Sequence, residues 1–284
     1  MGYYEFNIKS SEDSLDAITE RLSGIGCLGI IMNEDSIVVY FPDAIYVESV
    51  KRELDAFKSV LKLSGLPDAL SYEYIYISDR DWNESWKKKF QPIDVGEGLT
   101  IIPPWENTKR GRINLIIDPG MAFGTGHHET TMRCLMLIER LSKKIITKKG
   151  FLDVGTGTGI LAIAASKLGF DYVLGLDIDP LAIDASKRNV KSNSLTNIEI
   201  KCEGLKYIER SFDFIVANLL ANTLIELSPE IVSHLNASGI IVFSGIIDGQ
   251  EHDVIKEYEK YNLNFTEKII DGRWVTLVAG LNMQ

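Results

Sequence analysis

The residues with the most chemistry in them are Phe151-Leu152-Asp153-Val154-Gly155-Thr156-Gly157-Thr158-Gly159-Ile160. A short apolar run ends in an acid and three alternate glycines, and an apolar pattern of helical period resumes at Ile160. That order reads as strand, tight turn, helix. Glycines let the chain bend sharply and let a ligand approach bare backbone. The first turn of the new helix adds unpaired N–H groups. A nucleoside-containing cofactor suits such a turn, with Gly155 and Gly157 against it. The spacing argues against a dinucleotide: the G-x-G-x-x-G fingerprint wants its third glycine where Ile160 stands, and here it comes one residue early, at Gly159. Asp153 sets an acceptor where a diphosphate would be unwelcome and an amino-acid ammonium group welcome. S-adenosylmethionine carries that ammonium group and no phosphate.

Two more polar residues stand where strands should end. Tyr172-Val173-Leu174-Gly175-Leu176 reads as a second buried strand, followed by Asp177-Ile178-Asp179-Pro180. A carboxylate at the end of a second strand, about 20 residues past the glycines, can accept both ribose hydroxyls. Asp177 fits that role. Asp179 and Pro180 fit the N-cap and first position of a helix. Further on, Phe214-Ile215-Val216-Ala217-Asn218-Leu219-Leu220-Ala221 brings a strand to its end at Asn218. Ligands in open α/β sheets bind beyond the carboxyl ends of strands. There the Asn218 amide can accept from an amine and also donate. The bland alternative is a helix N-cap, which asparagine also suits.

A second glycine-rich stretch runs Asp118-Pro119-Gly120-Met121-Ala122-Phe123-Gly124-Thr125-Gly126-His127-His128-Glu129-Thr130-Thr131. It makes a poor core strand and a serviceable lid, with Phe123 an apolar residue to lay on an adenine or a methionine chain. His127 and His128 invite a metal reading. Adjacent histidines point in different directions, and no third ligand follows at metal spacing, so no metal is expected. A capping or loop-anchoring role fits better, with the Thr130 or Thr131 hydroxyl reaching cofactor or backbone.

Composition narrows the partners. The net charge of −10 argues against a nucleic-acid backbone as principal partner and is compatible with a basic protein substrate. Cys27, Cys134 and Cys202 are scattered, without a disulfide framework or a paired-cysteine metal spacing. The start, Met1-Gly2-Tyr3-Tyr4-Glu5, has no basic and apolar leader pattern, and no apolar stretch is long enough to span a bilayer. A cytoplasmic monomer with no membrane partner is expected.

The elements that must hold these residues fall into two parts. Residues 3–9 alternate like a strand, 14–22 show helical spacing, 28–32 and 36–41 are strands, 47–63 is an amphipathic helix, and 71–77 alternates again. The order βαββαβ is the ferredoxin-like layout. Acids outnumber bases about two to one in this part, which suits recognition better than catalysis. Residues 1–78 are therefore expected to form an α+β ferredoxin-like recognition domain. Residues 79–97 are expected to form a linker helix containing Trp82, Trp86 and Lys87-Lys88-Lys89. Those lysines are too few for an electrostatic footprint, so the helix is read as a packed linker rather than a binding patch. Residues 98–284 are expected to form the catalytic domain: a strand pair at 99–104 and 113–117, a helix at 129–141, then alternating strands and helices. Helices are read at 181–193, 222–235 and 252–261. A fifth strand is read at 239–244, and an antiparallel pair closes the chain around Asp271-Gly272.

Taken together, the glycine turn, Asp177 and Asn218 resemble the class I S-adenosylmethionine-dependent methyltransferases, with a seven-stranded Rossmann-like sheet. More narrowly, Asp118 to Thr131, Asp177-Ile178-Asp179-Pro180, Ala217-Asn218-Leu219-Leu220-Ala221 and Phe243-Ser244-Gly245-Ile246 resemble the PrmA family of ribosomal protein methyltransferases. That family modifies the eleventh protein of the large subunit. The resemblance covers nearly the whole chain. It implies S-adenosylmethionine as cofactor, with contacts at Thr131, Gly155, Asp177 and Asn218. It also implies a small domain that recognises the ribosomal protein, and methylation of lysine and N-terminal amines. One departure stands out: the family's lid continues Gly-Thr-Gly-Thr-His-Pro-Thr-Thr, and here Glu129 replaces the proline and its stiffness.

Three rivals are weighed. An NAD-dependent oxidoreductase is opposed by the early third glycine and by the lack of a catalytic His or Tyr constellation. A methyltransferase of RNA or of a small molecule shares the fold, though net charge disfavours RNA. A non-enzymatic binding module leaves the cofactor turn and Asn218 unexplained.

Overall fold

The computed structural model describes residues 3–10, 12–33, 36–63, 70–77, 90–118, 128–145 and 148–281. The chain divides after Gln91 into two compact units.

The first unit contains β1 (Tyr3–Lys9), α1 (Glu12–Ser23), β2 (Gly29–Met32), β3 (Ser36–Pro42), α2 (Val47–Leu63) and β4 (Ser71–Ile77). Its sheet has the order β2-β3-β1-β4 with every neighbour antiparallel. Alternation in the strands turns Phe6, Ile8, Ile37, Val39 and Phe41 to one face. Leu15, Ile18 and Leu22 of α1 and Val50 and Leu54 of α2 close over that face as one apolar core.

The second unit starts at Pro92, not at residue 98, and its first residues are not helical. Ile93–Val95 forms β5, antiparallel to β6 (Leu99–Ile102), and β7 (Ile113–Ile116) lies parallel to β6. A three-residue strand is too short to show a period, which is why the expected helix at 79–97 ran over it. Side chains hold the hairpin. The Arg112 guanidinium donates to the carbonyls of Val95, Glu97 and Leu99, and Glu139 accepts the Glu97 N–H at 3.0 Å. Residues 90–92 are not helical either, and residues 79–89 of the expected linker helix, with Trp82 and Trp86, lie outside the described residues.

The large sheet follows. Its strands are β8 (Gly150–Val154), β9 (Tyr172–Leu176), β10 (Ile198–Lys201), β11 (Phe212–Asn218), β12 (Leu235–Ile247), β13 (Leu263–Asp271) and β14 (Trp274–Leu281), ordered β10-β9-β8-β11-β12-β14-β13. The first five are parallel, and β14 runs antiparallel between β12 and β13. Helices cover both faces. On one side α3 (Glu129–Ser142) and α4 (Ile160–Lys167) pack through Leu135, Ile138 and the wholly apolar Ile160–Ala165 stretch. On the other, α6 (Ala221–Glu226), α7 (Ser228–Ser233) and α8 (Glu251–Glu259) pack through Leu224, Ile231 and Tyr258. Between β9 and β10 runs α5 (Pro180–Ser192).

Two expectations need correcting. The single helix read at 222–235 is two short ones, because Pro229 in the first turn of α7 has no N–H to continue the ladder from α6. The strand read at 239–244 runs from Leu235 to Ile247, since Gly239 is passed within the strand rather than starting it. Among the described residues no helix is long and apolar enough to cross a membrane.

Candidate active site

Strand β8 sits centrally, with β9 on one side and β11 on the other. The chain leaves β8 in one direction and returns on the opposite side, so the carboxyl ends of β8 and β11 form the topological switch point at which open α/β sheets bind ligands. The glycine turn, Asp177 and Asn218 all follow or end these strands.

The turn is held by backbone. The Leu176 carbonyl accepts the N–H groups of Gly155 and Thr156 at 2.9 and 2.8 Å. Gly155 and Gly159 have φ of +74° and +81°, a region that L side chains seldom adopt. A side chain would also crowd its neighbours. A Cβ on Gly155 would sit 2.6 Å from Leu219 Cδ2, and one on Gly159 would sit 3.1 Å from Ser186 Cβ. Leu219, the residue after Asn218, therefore packs against Gly155 of the turn.

Asp177 completes the turn. One carboxylate oxygen accepts the Gly157 N–H at 2.9 Å and the other accepts the Asp179 N–H at 3.0 Å. Asp179 caps α5 by accepting the Leu181 N–H at 2.9 Å, with Pro180 in the first turn, as the sequence predicts. Asp153 is fully buried. Its Oδ2 accepts from the Thr156 hydroxyl at 2.6 Å and from the Ala162 N–H at 3.2 Å, while its Oδ1 has no hydrogen-bond partner. Burial pushes its carboxyl up to about 7, against the pull of those two bonds. Pinning the turn to the start of α4 is a role that sequence reading did not give to Asp153.

Asn218 is the last residue of β11 and is half-buried. It caps nothing, because α6 begins at Ala221 with Leu220 as its N-cap. Instead its Nδ2 donates to Thr130 Oγ1 at 3.2 Å. Thr130 lies in the first turn of α3, and His128 is the N-cap of that helix, accepting the Thr130 N–H at Nδ1 over 3.3 Å. The same Nδ1 lies 2.7 Å from the Thr130 hydroxyl. The His128 ring meets Trp274 edge-on at 5.0 Å, and burial, with the nearby Arg273 charge, lowers its pKa to about 4. Helix α3 is fixed to the β13–β14 hairpin by an Arg133–Asp271 ion pair and by Arg140 to Glu267 at 2.5 Å. Thr131, next in α3, is buried with an unpartnered hydroxyl.

The structure thus brings Asp153, Gly155, Gly157 and Asp177 into one turn and sets Asn218 against Thr130. Phe123 and His127 lie outside the described residues. Sequence reading did not find the link from His128 through Thr130 to Asn218. Its one local signal is a histidine two residues before a threonine at a helix start, an arrangement in which the imidazole can cap the helix and reach the hydroxyl.

A family model described as ribosomal protein L11 methyltransferase (PrmA) matches residues 2–281. The chain belongs to that family. Ribosomal protein L11 methyltransferase of Caldicellulosiruptor saccharolyticus is 35% identical over 308 residues, a match covering 98% of this chain and 99% of that protein. The Lactobacillus johnsonii protein of the same name is 43% identical over 206 residues, covering 71% of this chain and 64% of that protein. A crystal structure of ribosomal protein L11 methylase from Lactobacillus delbrueckii subsp. bulgaricus has a TM-score of 0.63 at 34% identity, covering 68% of this chain and 100% of that one. The resemblance drawn from the glycine turn, Asp177 and Asn218 is borne out at the level of the family. Where this chain carries Glu129 in place of the proline of the family's pattern, α3 still starts there. His128 caps it, and an acid in the first turn complements the helix dipole.

Proposed function

We propose that this chain is an S-adenosylmethionine-dependent protein N-methyltransferase that methylates lysine and N-terminal amines of ribosomal protein L11. What carries the reading is the meeting, at one crevice, of a phosphate-averse turn and an amide held ready for an amine. Two buried polar atoms without partners, Asp153 Oδ1 and Thr131 Oγ1, fit a cofactor with an amino-acid end. Bound there, S-adenosylmethionine supplies a methyl group already activated by its sulfonium.

The chain's own residues then bind and aim. Asp177 keeps lone pairs on both oxygens beyond those its backbone bonds use, and they suit the ribose hydroxyls. Gly155 and Gly157 present bare backbone. Asp153 offers a carboxylate to the ammonium group, Thr131 a hydroxyl to the same end, and Phe123 an apolar face. Asn218 Oδ1 accepts an N–H of the substrate amine and so turns the amine lone pair toward the methyl group. The amine must be neutral. A lysine pKa near 10.4 keeps it charged in water, and a partly dry crevice beside a positive charge lowers that value. Bulk water can take the proton.

The ferredoxin-like unit is assigned to recognition of the ribosomal protein, with no nucleic acid required. A monomer acting in the cytoplasm fits that substrate. Incubation of the full chain with purified L11 and isotopically labelled S-adenosylmethionine, followed by mass spectrometry, tests the proposal. Methyl groups on lysine or the α-amine are expected, and an unlabelled L11 beside a labelled RNA or small molecule would overturn it.

A further inference from the structure

The direction of the Asn218 amide matters to the chemistry just proposed. Its carbonyl end accepts an N–H and leaves the amine lone pair clear, whereas its NH₂ end would donate to that lone pair and compete with methyl transfer. We propose that Thr130 is a positioning residue for Asn218: its hydroxyl, held by the His128 imidazole, fixes which end of the amide faces the substrate. The inference rests on the reading of Asn218 given above.

The argument is one of donors and acceptors. The Thr130 backbone N–H can only donate, and it points at His128 Nδ1 over 3.3 Å. Nδ1 is therefore an acceptor, and a neutral imidazole then carries its proton on Nε2. Burial keeps this ring neutral at ordinary pH. The Thr130 hydroxyl lies closer to the same Nδ1, at 2.7 Å, and in this tautomer its one proton shares the single Nδ1 lone pair with that N–H. Toward Asn218 the oxygen can then only accept. Of the two ends of an amide only the NH₂ donates, so Nδ2 faces Thr130, at 3.2 Å, and Oδ1 faces away from it. Shape alone does not distinguish the two ends; this chain of bonds does.

Thr130 is supported from several sides. Its hydroxyl is on the first turn of α3, whose start is capped by the same imidazole. The His128 ring is packed edge-on to Trp274, and the helix is tied by Arg133 and Arg140 to the β13–β14 hairpin. A group held this way can hold another without itself reorganising.

Thr130→Val tests the idea, because it nearly preserves shape and keeps the backbone N–H that His128 caps while removing the hydroxyl. Thr130→Ser restores the hydroxyl. With the full chain, L11 and S-adenosylmethionine, Thr130→Val is expected to lower kcat about ten-fold, the scale of one misdirected hydrogen bond. The KM for S-adenosylmethionine should stay within about two-fold, and Thr130→Ser should recover most of the rate. Added to Asn218→Ala, Thr130→Val should cost nothing further, because it acts through the amide already removed.

A Thr130→Val protein at full rate would sink the proposal. So would an equal loss of rate in the Asn218→Ala background, or a raised KM at unchanged kcat, which marks a direct cofactor contact. If Asn218→Ala itself runs at full speed, the reading of Asn218 falls and Thr130 falls with it. A slow Asn218→Ala beside a fast Thr130→Val removes Thr130 alone. Should Thr130→Val melt early, Thr130→Ala against Thr130→Ser makes the same comparison, with early melting in both overturning the assignment in favour of a structural role.

Discussion

The two sides of the crevice are built in different ways. On the side proposed for the cofactor, the site residues also make bonds of the fold. Asp177 takes a backbone N–H on each oxygen, Asp153 ties the turn to α4, and Leu176 holds two more N–H groups of the turn. On the acceptor side, Asn218 is held at the end of a central strand by a side-chain bond to Thr130 and caps no helix. A residue whose bonds are to backbone cannot be removed without disturbing the turn it shapes. A residue held by side chains can be removed while the strand beneath it stays. Damage on the cofactor side should therefore appear in affinity and stability together, and damage on the acceptor side in turnover alone.

The sharpest test of that contrast is Asn218→Ala. It should reduce kcat about 10²- to 10³-fold, the range seen when one preorganised polar group is lost from a reacting centre. Cofactor affinity by calorimetry and the melting temperature should hardly change. A melting temperature that fell along with the rate would place Asn218 in the fold and erase the difference between the two sides. Next in size is Asp177→Ala. Loss of the ribose acceptor should weaken S-adenosylhomocysteine binding about 10- to 100-fold, and the two stranded N–H groups should cost about 1 kcal/mol of stability. Unchanged affinity would refute the ribose assignment, and unchanged stability would show that water replaces the carboxylate.

The same contrast marks what could be read from the sequence. The turn was readable because its work is done by residue types at fixed spacing: glycines at alternate positions, an acid before them, another about 20 residues later. Each is local, and each strand that carries it is long and apolar. Asn218 was readable for the same reason, being the polar end of an apolar run. Its partner was not, because Thr130 and Asn218 are 88 residues apart and meet only when α3 is laid against β11. The opening hairpin of the second unit was missed on similar grounds. It is held by Arg112 reaching carbonyls and by Glu139 from 42 residues away, and neither bond leaves a period in the chain. The break at Pro229 was the opposite kind of miss, a local signal overridden by an apolar pattern that ran through it.

A smaller effect separates the two oxygens of Asp153. Its carboxyl is raised from an ordinary value of 3.8 to about 7 by burial. Between those values the folded chain holds a proton that the unfolded chain has lost, so this group's contribution to stability falls as pH rises from about 4 to 7 and is level above. An ammonium ligand favours the ionised form. Cofactor affinity should therefore drop on the acid side of 7, by up to about ten-fold at pH 6, as binding comes to require release of a proton. Asp153→Asn, which keeps an oxygen for Thr156 and Ala162, should flatten that dependence. Calorimetry in buffers of different ionisation heat reads the proton directly, and none released at pH 6 would separate Asp153 from the ammonium.

Thr131 gives the smallest change and the one of opposite sign. Its hydroxyl is buried without a partner in the fold, and such a group costs free energy that an apolar replacement avoids. Thr131→Val should leave stability unchanged or raise it by up to about 1 kcal/mol, while S-adenosylhomocysteine binds a few-fold more weakly, by about the worth of one hydrogen bond. No residue whose work is structural behaves so, because removing a structural bond lowers both quantities. Were Thr131→Val to melt earlier than the parent chain, the hydroxyl would have an internal partner. Thr131 would then belong with Asp177, among the groups that shape the site, rather than as a contact kept for the cofactor alone.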